Sequence, residues 1–60
     1  MSKVELKRIA KRALKKAYGY APTLNEVVLL EATSDGERVL FEVGGHEYYY
    51  YNGRLEKKEA

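Results

Sequence analysis

An α+β fold, with one N-terminal amphipathic helix packed across one face of a three- to four-stranded antiparallel β-meander, is predicted by three features of the sequence. Residues 3–18 carry apolar side chains at helical spacing. The period changes from 3.6 to 2 after Glu26, and three turn dipeptides follow at short intervals: Asp35-Gly36, Gly44-Gly45 and Asn52-Gly53. A layer of helix on a layer of sheet is the simplest way for such a chain to bury both apolar faces.

The helix comes first. Leu6, Ile9, Ala10, Ala13, Leu14 and Ala17 fall within an arc of about 140° at 100° per residue, a single apolar stripe. Its start is written locally. Ser2 can accept from the backbone N–H of Glu5 while the Glu5 carboxylate reaches back to Ser2, the reciprocal capping box. Its stop is written too: Gly19 suits the left-handed position that ends helices, Tyr20 follows as an apolar residue, and Pro22 forbids continuation.

Strands are expected over 26–33, 37–43, 46–51 and, less regularly, 54–57. Two-residue loops set the register of the hairpins between them. Val43 should then face His46, Phe41 should face Tyr48, Val39 should face Tyr50, and Tyr50 in turn Leu55. Across the first hairpin the same rule puts Ala32 opposite Val39, Leu30 opposite Phe41 and Val28 opposite Val43. One sheet face, holding Val28, Leu30, Ala32, Val39, Phe41, Val43, Tyr48, Tyr50 and Leu55, is thereby expected to meet the helix stripe, with Leu6, Ile9, Ala13, Leu14 and Ala17 packed over Phe41.

The other face has nothing of the chain's own to cover it. Among its residues Val27, Leu29, Leu40, Tyr49 and Tyr51 are large and apolar, and together they form a candidate protein interface, either for a second copy or for another protein. The competing explanation is that β-branched and aromatic residues favour sheet surface and that their cross-strand pairs stabilise a small fold. Arg54, Lys57 and Lys58 on the last strand would discourage edge-to-edge pairing.

Charge is distributed unevenly. Lys7, Arg8, Lys11, Arg12, Lys15 and Lys16 occupy nearly all of the outer face of the helix, where Glu5 is the only acid, although the chain as a whole carries only +2. Such a face can bind a phosphate backbone, anionic lipid or an acidic protein surface, and nucleic-acid binding through these six residues is the alternative reading. Its competitor is a solvated face of good helix formers, with Lys15 and Lys16 complementing the negative end of the dipole. Tyrosines stacking bases on the sheet fit poorly with it, because Glu31, Glu42 and Glu47 share that face.

Chemistry is scarce. The 60 residues contain no cysteine and one histidine, so a disulfide framework and a zinc site are not expected. Glu42 and Glu47 should face each other across the Gly44-Gly45 turn, but nothing nearby would desolvate them for acid–base work. His46 has no serine, cysteine or second histidine on an adjacent strand, and no glycine opens a helix as a phosphate-binding loop must. The expectation is a non-enzymatic single domain over 1–60, with no cofactor, no metal and no small-molecule substrate. No apolar run exceeds Val27 to Leu30, far short of a membrane span, and the N-terminus lacks a signal segment, so a soluble chain, cytoplasmic or recombinant, is expected.

Two resemblances follow from these residues. A helix, a glycine, an extended linker and closely spaced strands ending in Tyr50-Tyr51-Asn52-Gly53-Arg54-Leu55 resemble the PepSY-type pattern of a helix followed by a short meander. The capping box, the glycine-terminated helix, three two-residue hairpin turns and a Lys/Glu-rich surface without cysteine or tryptophan resemble computationally designed mini-proteins. The second resemblance implies a scaffold or interaction module. The irregular linker from Tyr20 to Asn25 and the run Tyr48 to Tyr51 depart from an idealised scaffold and suit either a redesigned natural backbone or a purpose-built binding face.

Overall fold

A computed structural model describes residues 1–58; positions 59 and 60 of the expected domain lie outside the described residues. Helix α1 spans Lys3–Tyr18, a 3₁₀ turn spans Leu24–Glu26, and four strands follow: β1 Val28–Ala32, β2 Arg38–Val43, β3 His46–Tyr51 and β4 Arg54–Lys58. The strands form one antiparallel sheet in chain order, β1-β2-β3-β4, and the helix lies on one face of it. The α+β two-layer architecture is therefore as the sequence predicts, with the fourth strand formed.

The helix ends obey their local signals. Ser2 Oγ accepts from the Glu5 N–H at 3.2 Å, and Glu5 Oε1 accepts from the Ser2 N–H at 3.1 Å. At the other end Gly19 adopts φ 77° and donates its N–H to the Lys15 carbonyl at 2.8 Å. The linker, expected to be extended and irregular, closes in the 3₁₀ turn. Glu26 Oε1 accepts from the Thr23 N–H at 2.8 Å and Glu26 Oε2 accepts from the Tyr20 hydroxyl at 3.1 Å, so a second acidic clamp closes the 3₁₀ turn. That turn takes up residues 24–26, which is why β1 starts at Val28 rather than at Glu26.

The two later hairpins have the expected pairs: Val43 with His46, Phe41 with Tyr48, Val39 with Tyr50, and Tyr50 with Leu55. Asn52 and Gly53 have φ of 49° and 81°, the double left-handed geometry of a type I′ turn. The first hairpin departs from expectation. Ala32 pairs with Val39 as predicted, but a β-bulge between Leu29 and Glu31 then shifts the register by one, so that Leu29 faces Phe41 and Val28 faces Glu42. Leu30 is the additional residue. The expected pairs Leu30–Phe41 and Val28–Val43 are thus corrected, and so is the division of faces that rested on them.

The consequence for packing is large. Val27 is 1% exposed and belongs to the core, and Leu29 packs against it, whereas Val28 and Leu30 are 49% and 45% exposed. Val27 and Leu29, expected on the uncovered face, therefore turn inward, Val27 into the core and Leu29 to its margin. The reason is that positions 27–30 are all apolar, so either parity buries two large side chains, and the bulge lets the 3₁₀ turn deliver Val27 inward while Ala32 keeps its hairpin partner. The core consists of Leu6, Ala10 and Leu14 from the helix against Val27, Val39, Phe41 and Val43, with Ile9, Leu29, Tyr48, Tyr50 and Leu55 at its margin. Ala17, expected in the stripe over Phe41, is exposed.

Candidate functional site

Among the described residues, three surface features bear on function once the core is assigned. On the sheet face away from the helix, strand pairing aligns side chains in rows across β2, β3 and β4: Arg38, Tyr51 and Arg54; Leu40, Tyr49 and Glu56; Glu42, Glu47 and Lys58. Leu40 and Tyr49 are half-buried and directly opposite each other, and Tyr51 is 38% exposed. The rings of Tyr49 and Tyr51 stack at 6.4 Å, and the Arg38 guanidinium lies over the Tyr51 ring at 4.8 Å. Leu40, Tyr49 and Tyr51 are thus brought together as predicted. Val27 and Leu29 are not part of this patch; Val28, paired with Glu42, takes their place, with the exposed bulge residue Leu30 alongside Glu31, which pairs with Leu40.

This face is electrically polarised along the strands. Arg38 and Arg54 stand at the end of the Asn52-Gly53 turn, and Glu42 and Glu47 at the end of the Gly44-Gly45 turn, where Lys58 lies 3.9 Å from Glu47. Glu42 and Glu47 face each other as expected, and His46 is exposed beside the turn. Among the described residues no three His, Asp or Glu side chains gather at metal-binding distance.

The basic helix face is the second feature. Arg8, Arg12, Lys15 and Lys16 are exposed, while Lys7 and Lys11 are half-buried at the flank of the stripe. Lys15 Nζ donates to the Gly19 carbonyl at 3.3 Å and is occupied with the helix end. Among the described residues none of the six makes an ion pair within 4 Å.

The third feature has no counterpart in the sequence reading. A helix about 10 Å across cannot cover four strands spaced about 4.8 Å apart, so a corner of the inner sheet face stays open. There, an open groove of about 440 Å³ runs between α1 and the turn of the β3–β4 hairpin. Ile9, Ala13 and Ala17 form its helical wall, Tyr50, Leu55 and Gly53 its sheet side, and Arg12 and Lys16 complete the lining. Comparing element widths would have exposed this corner; residue patterns alone do not.

Three carboxylates titrate below their ordinary range, each held by hydrogen bonds in a turn or cap. Glu5 is lowered by the Ser2 backbone N–H, Glu26 by that of Thr23, and Asp35 by that of Glu37. The Tyr20 hydroxyl, donating to Glu26, is raised. These groups cap the helix, the 3₁₀ turn and the first hairpin, and none of them lines the groove. Comparison with protein-family models, curated proteins and solved structures finds no match to this chain. Among the described residues no helix is long and apolar enough to cross a membrane.

Proposed function

We propose that this protein is a non-enzymatic scaffold or interaction module of the designed kind, which associates with a second copy of itself through the sheet face that the helix leaves bare. The observation that supports this reading is the continuous Leu40–Tyr49–Tyr51 surface with Val28 and Leu30 exposed beside it. Tyrosine suits such a surface because it supplies contact area at low entropic cost and keeps a hydroxyl for water. The polarity of the face favours a second copy as occupant. A two-fold axis that stacks two sheets with strands reversed sets the row Arg38, Tyr51 and Arg54 of one over the row Glu42, Glu47 and Lys58 of the other, so that Arg38 meets Glu42 twice and the Tyr51 hydroxyl meets Glu47, while Arg54 lies over Lys58.

The patch is small. Four strands of five or six residues present a face of roughly 350 Å², below the standard interface of about 800 Å² per partner, so a weak dimer is expected. Sedimentation equilibrium from about 10 μM to about 1 mM, at low and high salt, tests it. A dimer forming toward the upper end, weakened in high salt as the Arg38–Glu42 contacts are screened but not abolished by it, supports the apolar face as the contact, because burial of Leu40, Tyr49 and Tyr51 is insensitive to screening. A monomer throughout overturns it.

Nucleic-acid binding through Lys7, Arg8, Lys11, Arg12, Lys15 and Lys16 is the second reading, favoured by their lack of ion-pair partners among the described residues. It requires affinity for an oligonucleotide that falls steeply with salt and disappears on charge reversal of Lys11, Arg12 and Lys15. Binding that survives that reversal ends this reading.

A further inference from the structure

We propose that the groove between α1 and the β3–β4 hairpin is a binding site for a small amphipathic carboxylate, with an aliphatic tail along the apolar walls and its carboxylate held by Arg12 and Lys16. The site lies on the opposite side of the sheet from the face proposed for self-association, and neither reading depends on the other.

Size, lining and charge each point to this class of ligand. The volume of about 440 Å³ falls within the range of roughly 300–1,000 Å³ typical of small-molecule sites. Both walls carry apolar groups: Ile9 and Ala13 on the helix side and the half-buried Leu55 and ring of Tyr50 on the sheet side present carbon surface that the fold leaves in contact with water. Arg12 and Lys16 stand one helical turn apart, both exposed, and no acidic residue lines the groove. Neither cation has an ion-pair partner within 4 Å among the described residues. An apolar body with one anionic end is the ligand that satisfies both halves of such a lining. Arginine's planar fork matches a carboxylate, and the lysine one turn on adds a second donor. A polyanion such as nucleic acid would use the cations but leave the apolar walls wet.

The probe is octanoate, with 1-octanol as its uncharged counterpart, titrated into the isotopically labelled protein and followed by amide chemical shifts. Saturable shifts at Ala13, Ala17, Gly53 and Leu55 are expected with octanoate, at a dissociation constant of roughly 0.1–1 mM for an open groove and a small ligand. Octanol should bind about tenfold more weakly. The pair Arg12→Glu with Lys16→Glu, and the milder Arg12→Gln with Lys16→Gln, should weaken octanoate by about tenfold or more while leaving octanol unchanged. Ala17→Phe, which puts a ring into the groove, should weaken both. Equal affinity for the two probes, octanoate binding indifferent to either pair or to Ala17→Phe, shifts centred on Leu40 and Tyr49, or no saturable shift at all would each overturn the proposal. Sedimentation of the Arg12→Gln, Lys16→Gln variant separates this site from the sheet face, since self-association through Leu40 and Tyr49 should be unaffected by it.

Discussion

Leu29, not Leu30, stands opposite Phe41. Phe41 is fully buried at the centre of the core, so its partner on β1 decides which residues of that strand are covered by the helix and which are left to solvent. The inversion reaches back to Val27, which is buried, and forward to Leu30, which is not.

Substitutions from Val27 into β1 should therefore alternate in effect against the order that simple hairpin pairing implies. Val27→Ala should cost about 2 kcal/mol through lost burial and the cavity left behind. Val28→Ala should cost about 0.5 kcal/mol or less. Leu29→Asp should unfold the protein while Leu30→Asp is tolerated. Urea denaturation of the four variants checks this, and equal costs for Val27→Ala and Val28→Ala would refute the bulged register.

Gly36 ties the first hairpin to the helix. It has φ 74°, and a Cβ there would come within 2.7 Å of Ile9 Cδ1 and of Met1 Sδ. The Ile9 Cδ1 methyl and the outer part of the Met1 side chain, Sδ and Cε, are flexible and can give way, so the backbone conformation dominates. Gly36→Ala should destabilise by about 1–2 kcal/mol, measured by the denaturation midpoint. The N-terminal ammonium donates to the Ser34 carbonyl at 2.8 Å in the same turn, and this contact should be perturbed with it.

Acid should weaken the fold. Glu5, Glu26 and Asp35 have pKa values below their usual 4.5, 4.5 and 3.8, so in moderate acid the unfolded chain binds more protons than the folded one. The stability they contribute is complete above the unfolded values, near pH 5 and higher, and is lost as pH falls through the lowered ones. Thermal melts between about pH 2 and 7 should show a falling midpoint on the acid side, and Glu26→Gln with Asp35→Asn should flatten that slope. An unchanged slope in the double variant would refute the assignment.

Loss of the Leu40–Tyr49 pair should separate assembly from folding. Leu40→Ser with Tyr49→Ser should abolish the concentration-dependent dimer while circular dichroism still reports a folded α+β chain. A double variant that sediments like the parent would place the contact elsewhere.

Most of the fold was legible because its punctuation is local. The capping box at Ser2 and Glu5, Gly19, and the turns at Gly44-Gly45 and Asn52-Gly53 each specify backbone geometry within four residues, and the structure follows them. Residues 27–30 carry no such information. Valine and leucine at four successive positions satisfy either parity, and the choice falls to tertiary packing and to the 3₁₀ turn before them. The sheet-face patch was legible where register was fixed, at Leu40, Tyr49 and Tyr51, and misread where it was not, at Val27 and Leu29. Ala17 was misassigned because helical spacing gives the direction of a side chain and not whether sheet lies beneath it.

The chain-order arrangement of the four strands bears on how fast the molecule reaches its structure. Every strand pair is between neighbours in sequence, so each hairpin closes a loop of few residues and the entropic cost of assembly is met in small steps. Docking of the helix is the long-range event, typified by the contact of the N-terminus with Ser34 across a sequence separation of 33 residues. The meander can therefore zip from the Gly44-Gly45 turn outward before the helix arrives, and substitutions in that central hairpin should slow folding while those at the helix–sheet contact chiefly speed unfolding.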